Sequence, residues 1–231
     1  MARFWWGATQ NQRRIHWRAW RGLCASKFEG GLGFREFGYF NQALLAKVAW
    51  RILQEPNSLL ARIYCAQYSF GSDFLSISAW GFASWGWRSI LFGRDLLLQG
   101  LRWQVGAGDT IRAFSDPLIP SSPPTVPKLK SGSIPPPPIY VSALIDRGTK
   151  LWNLRALELF FSPDSIAAIQ FPLSFRPVPD RVIWHYETSG DFTVKSAYHL
   201  AFSLLDSPVR KLGASLWIDQ FGSGFGAGFF L

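Results

Sequence analysis

Apolar residues recur at helical spacing over the first half of this chain and in shorter, mixed patterns over the second. From 37 to 54, Phe37, Phe40, Leu44, Leu45, Val48 and Ile52 predict a helix with one apolar stripe. Pro56 closes it, and Asn57 or Ser58 can cap a second helix through about Tyr68, with Leu59, Leu60, Ile63 and Tyr64 inward. The pair reads as a helical hairpin. Residues 70–84 have no period and read as loop, and 85–99 regain helical spacing with a break expected at Gly93.

Alternation then replaces the helical step. Leu101 to Val105 and Thr110 to Phe114 flank Gly106-Ala107-Gly108-Asp109, the pattern of a β-hairpin with Arg102, Gln104 and Arg112 on its polar sides. Residues 117–138 hold nine of the fifteen prolines, and Pro135 to Pro138 favour polyproline II, so this stretch reads as a linker. Beyond it, 150–161 predicts a helix with Leu151, Leu154, Leu157, Leu159 and Phe160 mostly inward. Ser162-Pro163-Asp164 can start a short helix over 164–170. Arg181 to Tyr186 and Asp191 to Val194 suggest a second hairpin, and Lys195 to Leu205 a helix carrying Ala197, Tyr198, Leu200 and Leu204. The glycine-phenylalanine run at the end has neither period and is expected to be disordered.

These elements predict an α+β fold. A mainly helical module with a β-hairpin spans 1–116, a Pro-rich linker 117–138, a small α+β module 139–212, and an atypical tail 213–231. A hydrophobic content of 48% over 231 residues suffices for one large core or two small ones. The net charge of +9 is lopsided: 14 basic and 6 acidic groups lie in 1–112, and 10 and 9 in the remainder. Two cysteines, Cys24 and Cys65, supply no disulfide framework and suit a reducing compartment. No apolar run is long enough to span a membrane, and no membrane partner is expected. The N-terminus lacks the apolar core of a secretory signal. It is Arg-rich and acid-free through residue 28, as transit peptides are, which leaves nucleus and mitochondrion open.

Charge and aromaticity coincide at the N-terminus. Arg3, Arg13, Arg14, Arg18, Arg21 and Lys27 precede the first carboxylate, Glu29, with Trp5, Trp6, Trp17 and Trp20 set among them. Cations alternating with flat rings suit a polyanion with stackable bases, RNA or DNA. On a helix, Arg14, Arg18 and Arg21 would share one face and reach successive phosphates, with Trp17 stacking on a base. Arg13 and Lys27 complete the candidate set. The alternative is that Trp17 and Trp20 are core and the arginines cover it. Gly30, Gly31 and Gly33 suggest a tight positive-φ approach, either a plain turn or a phosphate grip.

The same block carries a family resemblance. Phe4 to Gly7, Ile15 to Trp17, Trp20, Leu23-Cys24, Lys27, Gly30 to Arg35, Phe40-Asn41, Ala43 to Leu45, Lys47 and Trp50-Arg51 resemble a segment of plant LINE-type (non-LTR) retroelement reverse transcriptases, downstream of the polymerase core. They are also similar to short plant mitochondrial reading frames derived from those elements. Trp87 to Leu91, Gly93 to Leu97, Gly100 to Trp103, Gly106 to Asp109, Ile111-Arg112 and Asp116-Pro117 continue the resemblance. So do Asp180, Trp184 to Tyr186, Ser189 to Ser196 and Tyr198, giving a span of about 4–204. The resemblance implies RNA-directed DNA synthesis for the intact family, with this region lying between polymerase and zinc-binding domain.

Polymerisation requires paired carboxylates that hold divalent metals, and no adjacent Asp-Asp occurs in this chain. Where the family's zinc-binding domain is expected, after about 212, the chain runs from Ile218 to Leu231 in glycine and phenylalanine, which reads as translation out of frame. His16, His185 and His199 lie apart and no Gly-x-Ser-x-Gly elbow occurs, so no catalytic triad is supported. Cysteine and histidine spacings fit no zinc site, and the glycine-rich tail fits no dinucleotide fingerprint. The expectation is a non-catalytic polyprotein fragment without cofactor, holding RNA or DNA through its basic segment. The alternatives are an interaction remnant that once packed on the missing polymerase core, or an unselected reading frame.

Overall fold

The computed structural model describes residues 2–7, 14–68, 73–78, 83–130, 137–146, 148–174 and 178–204. Helices α1 (Ala2–Trp5) and α2 (Trp20–Cys24) are short. Helices α3 (Phe37–Gln54), α4 (Leu59–Tyr68) and α5 (Trp85–Leu98) come next. Strand β1 (Leu101–Gln104) leads into an irregular stretch that ends at β2 (Ile145–Asp146) and β3 (Leu151–Trp152). Helices α6 (Leu154–Phe160) and α7 (Pro163–Ile169), strand β4 (Arg181–Trp184) and helix α8 (Val194–Ser203) complete the order. The expected α+β class with a helical N-terminal part holds. The tail lies outside the described residues, as do Pro135 and Pro136 of the proline run.

Helix α3 forms where its period predicts, but a different face is buried. Ala43, Ala46 and Ala49 are fully buried with Gln42 and Ile52, whereas Phe37 and Leu44 are exposed. Small residues win this face because α3 packs backbone-close on α5. A Cβ at Gly93 would stand 2.3 Å from the Leu45 carbonyl carbon, so only glycine fits there. Gly93 therefore does not break α5, which runs through it unbroken. The Gln42 amide donates to the Phe92 carbonyl at 3.1 Å, satisfying a buried polar group across the seam. The expected hairpin with α4 is secondary: α3 packs chiefly on α5 and α8, and only Ala61 of α4 is buried, with Leu59 and Ile63 exposed.

Strand pairing also departs from expectation. β1 pairs antiparallel with β4, not with 110–114, in the register Leu101↔Trp184, Arg102↔Ile183, Trp103↔Val182 and Gln104↔Arg181. Residues 110–114 instead bridge to Tyr140 through Arg112, and the second predicted hairpin keeps only its β4 arm, because Thr193 caps α8. The competing partner wins because Asp180 clasps the intervening loop. Its Oδ1 accepts from the Gly106 and Gly108 N–H groups at 2.8 Å each, and its Oδ2 from the Thr110 N–H and hydroxyl at 2.9 Å each. Gly108, at φ +78°, turns the loop within reach.

Two hydrophobic clusters result. The first joins α3, α4, α5, Leu101, Trp184, Phe192 and α8, with Trp87 and Trp184 fully buried. Trp184 donates its indole N–H to the Ser196 hydroxyl at 2.9 Å, and a Cβ on Gly100 would strike its ring at 2.4 Å. Arg94, buried in α5, donates to the Phe74 and Ile77 carbonyls and so holds the 73–78 loop on this cluster. The second cluster gathers Val105, Ile111, Leu118, Val141, Leu144, Leu157, Phe161 and Ile169. In α6 only Leu157 is buried, while Leu154 and Leu159 are exposed. The described part of the Pro-rich segment packs here: Leu118 is buried, and Leu129 bridges to Phe161.

Candidate nucleic-acid interface

Five cationic side chains and one carboxylate occupy residues 14–35. The helix expected to align Arg14, Arg18 and Arg21 does not form: 14–19 is irregular, and α2 begins only at Trp20. Its Ala19 N-cap makes no side-chain hydrogen bond, and Gly22 weakens the short helix from within. Arg14, Arg18, Arg21 and Lys27 are exposed, but not as one helical stripe. Arg13 lies outside the described residues.

A compact turn holds the segment instead. Ser26 and Glu29 form a capping box around the 3-10 turn Lys27–Glu29, with the Glu29 N–H donating to Ser26 Oγ at 3.3 Å and Ser26 Oγ donating to Glu29 Oε2 at 3.0 Å. Gly30 (φ +76°) and Gly33 (φ +69°) take the predicted positive φ. Their N–H groups are spent internally, Gly30 on Lys27, Gly31 on Ser26 and Gly33 on Ala25, so the glycines make a turn and leave no free donors for a phosphate grip. Arg18 reaches back and donates to the Gly30 carbonyl, tying the irregular strand to this turn.

The tryptophans divide. Trp20 is half-buried, stacked on Phe37 at 6.5 Å and tilted on Phe34 at 5.6 Å. Trp5 meets Phe34 edge-on at 4.7 Å, and Trp6 stacks on His16 at 6.4 Å. Trp17 is 80% exposed, a large flat ring among Arg14, Arg18 and Arg21 in sequence. The question left open by the sequence is thus answered ring by ring: Trp20 packs and Trp17 faces solvent. Leu23 and Cys24 anchor the turn beneath, and burial followed by the charge of Glu36 pushes the Cys24 thiol up.

A second cationic surface, which sequence reasoning did not single out as a site, lies on the β1–β4 ribbon. Paired residues share a face, so Arg102, Gln104, Arg181 and Ile183 point one way while Leu101, Trp103, Val182 and Trp184 point the other. His185 extends the first face, and together these line an open cleft of about 460 Å³. Burial lowers the Arg102 guanidinium; burial and then the charge of Arg102 lower His185. The available signal was the pairing of 101–104 with 181–184, which local alternation does not reveal. Among the described residues no three His, Cys, Asp or Glu side chains gather in metal-holding geometry.

Relatives are consistent with a plant origin for this arrangement. The chain is 43% identical over 128 residues to "Uncharacterized mitochondrial protein AtMg00310" of Arabidopsis thaliana, covering 55% of this chain and 83% of that protein. It is 32% identical over 209 residues to "Putative ribonuclease H protein At1g65750" of the same plant, covering 85% of this chain. It spans only 32% of that second, longer protein. No family model matches the chain. No solved structure matches it either.

Proposed function

The chain belongs to the family of the Arabidopsis thaliana mitochondrial protein AtMg00310, and from that premise we propose that it is a non-catalytic piece of a plant LINE-type retroelement polyprotein that holds RNA or DNA through residues 14–35. The ribonuclease H name of the longer relative supports the retroelement reading, since ribonuclease H acts on the RNA–DNA hybrids that reverse transcription makes. One observation carries the binding role: Trp17 stands 80% exposed in a segment with Arg14, Arg18 and Arg21 and no carboxylate before Glu29. An exposed ring offers stacking to any base, and the arginines offer phosphate contacts without reading sequence.

The test is fluorescence anisotropy of the full chain with labelled single-stranded RNA at several salt concentrations. Binding should weaken steeply with salt. Arg14→Ala, Arg18→Ala and Arg21→Ala together should flatten the slope by roughly one unit or slightly less per lost contact. An unchanged slope in a folded variant removes the assignment. A second reading rests on exposed apolar groups: Phe4, Phe28, Leu59, Ile63 and Trp85 face solvent, as on an interface that has lost its partner. It predicts concentration-dependent self-association in sedimentation velocity and no salt-dependent RNA binding.

A further inference from the structure

The outward face of the β1–β4 ribbon forms a cleft in which two arginines outnumber one carboxylate, Glu187. Arg102 and Arg181 come from opposite strands, diagonal to one another two register positions apart, and His185 closes the end. Among the described residues neither guanidinium has a carboxylate in ion-pair range. Arg102 Nε and His185 Nδ1 are both buried with no hydrogen-bond partner. Both side chains line the cleft, and each orphaned nitrogen costs free energy that an acceptor reaching it would recover. Glu187 also lines the cleft, outside ion-pair range of both guanidinium groups, and its Oε1 accepts from the Thr193 hydroxyl at 2.5 Å.

The fold holds the second arginine in place. Arg181 Nη2 donates to the Ser189 carbonyl at 3.2 Å, resting on the 185–190 turn. Gly190, at φ +77°, makes that possible: a Cβ there would lie 2.9 Å from the same Nη2. The turn is closed by the Trp184 N–H donating to the Gly190 carbonyl at 2.7 Å, and His185 is fixed by its own N–H donating to Gly100. Thr188 and Ser189 add polar groups to the rim.

We infer that this cleft is a phosphate-binding site, with Arg102 and Arg181 as the charged clamp and His185 at its end. A guanidinium pair presents the forked donors that suit phosphate oxygens, and the volume of about 460 Å³ admits a group larger than the free ion. The phosphate of a free nucleotide and the terminal phosphate of an oligonucleotide share this chemistry. None of the arginines of residues 14–35 takes part, so this site stands or falls apart from the basic N-terminal segment.

The experiment is isothermal titration of the full chain at constant ionic strength with three probes: inorganic phosphate, a nucleoside 5′-monophosphate, and a short 5′-phosphorylated single-stranded RNA beside its unphosphorylated twin. Saturable binding of at least one phosphate probe is expected, and the strongest probe identifies the source. Arg181→Gln, on an exposed side chain, should weaken binding about tenfold or more, as should Arg102→Gln. Arg102→Lys should recover only part, because an ammonium lacks the fork. The Arg14, Arg18 and Arg21 triple alanine variant should leave the monophosphate titration unchanged. No saturable binding by the folded chain, or equal binding by folded Arg181→Gln, overturns the site.

Discussion

The Asp180 clasp gives the sharpest test of how this fold is held. Asp180→Ala deletes one carboxylate that accepts four hydrogen bonds, at 2.8, 2.8, 2.9 and 2.9 Å. The Thr110 groups are exposed, so water can replace the carboxylate there at little cost. The Gly106 and Gly108 N–H groups are part-buried and would be left short of an acceptor. A Cβ on Gly106 would stand 2.0 Å from the Val178 carbonyl oxygen, so little room exists for water on that side. Two such donors at about 1–1.5 kcal/mol each, after discounting the exposed pair, imply roughly 2–3 kcal/mol. For a chain of this length that lowers Tm by roughly 5–10 °C.

The pH dependence supplies an independent sign. Burial alone would raise the Asp180 carboxyl, but the hydrogen bonds from Thr110, Gly108 and Gly106 outweigh it and hold the group below its ordinary value. A depressed folded-state pKa stabilises the fold above the unfolded value, and that contribution is lost as pH falls through the folded one. Wild type should therefore lose stability more steeply than Asp180→Asn below about pH 4. Asp146, also lowered, chiefly by the Gly148 N–H, contributes with the same sign in both proteins. Asp116, raised chiefly by burial, contributes with the opposite sign in both, so the difference isolates Asp180. Thermal unfolding followed by circular dichroism, from pH 7 down to 3, measures both quantities. An Asp180→Ala variant melting within about 2 °C of wild type, or parallel acid limbs for Asp180→Asn, would refute the clasp.

The packing fixes three further outcomes. Gly93→Leu should destabilise the fold by about 3 kcal/mol or more in urea unfolding, because even its Cβ lands 2.3 Å from the α3 backbone. Trp17→Ala should leave Tm within about 1 °C of wild type while weakening single-stranded RNA binding about five-fold or more, whereas Trp20→Ala should lower Tm, since Trp20 packs on Phe34 and Phe37. Cys24, whose thiol is pushed up by burial and Glu36, and Cys65, raised by burial, should react slowly with a thiol-exchange reagent at neutral pH and quickly once urea is added.

How far the sequence reveals this molecule depends on the range of the interaction. Helices α3, α4, α5, α7 and α8 are legible because period and caps are local, such as Ser58 accepting from the Ala61 N–H at the start of α4. Which face each helix buries is not, since burial of Ala43, Ala46 and Ala49 depends on Gly93 about fifty residues away. The β1–β4 pairing has the same cause: Leu101 and Trp184 meet across more than eighty residues, while alternation advertises the nearer partner. At the candidate interface the residue types were legible and their alignment was not, because α2 starts six residues after Arg14.

The residues that carry the retroelement resemblance acquire a physical meaning from these contacts. Gly93 admits α3, Arg94 holds the 73–78 loop, and Gly100 receives the Trp184 ring. Gly106, Gly108 and Asp180 form one clasp, and Tyr198 accepts from the Glu36 N–H at 3.0 Å, joining the start of α3 to α8. Most of the spaced pattern is thus the record of a fold whose two ends must meet. Trp17 does not fit that account: it belongs to the same pattern of sequence yet stands 80% exposed. His185 fits it only in part, since its backbone anchors the turn while its Nδ1 finds no partner. Side chains that the fold does not consume are where binding is to be sought, and they fall on the two cationic surfaces, the basic segment around Trp17 and the cleft lined by Arg102 and Arg181.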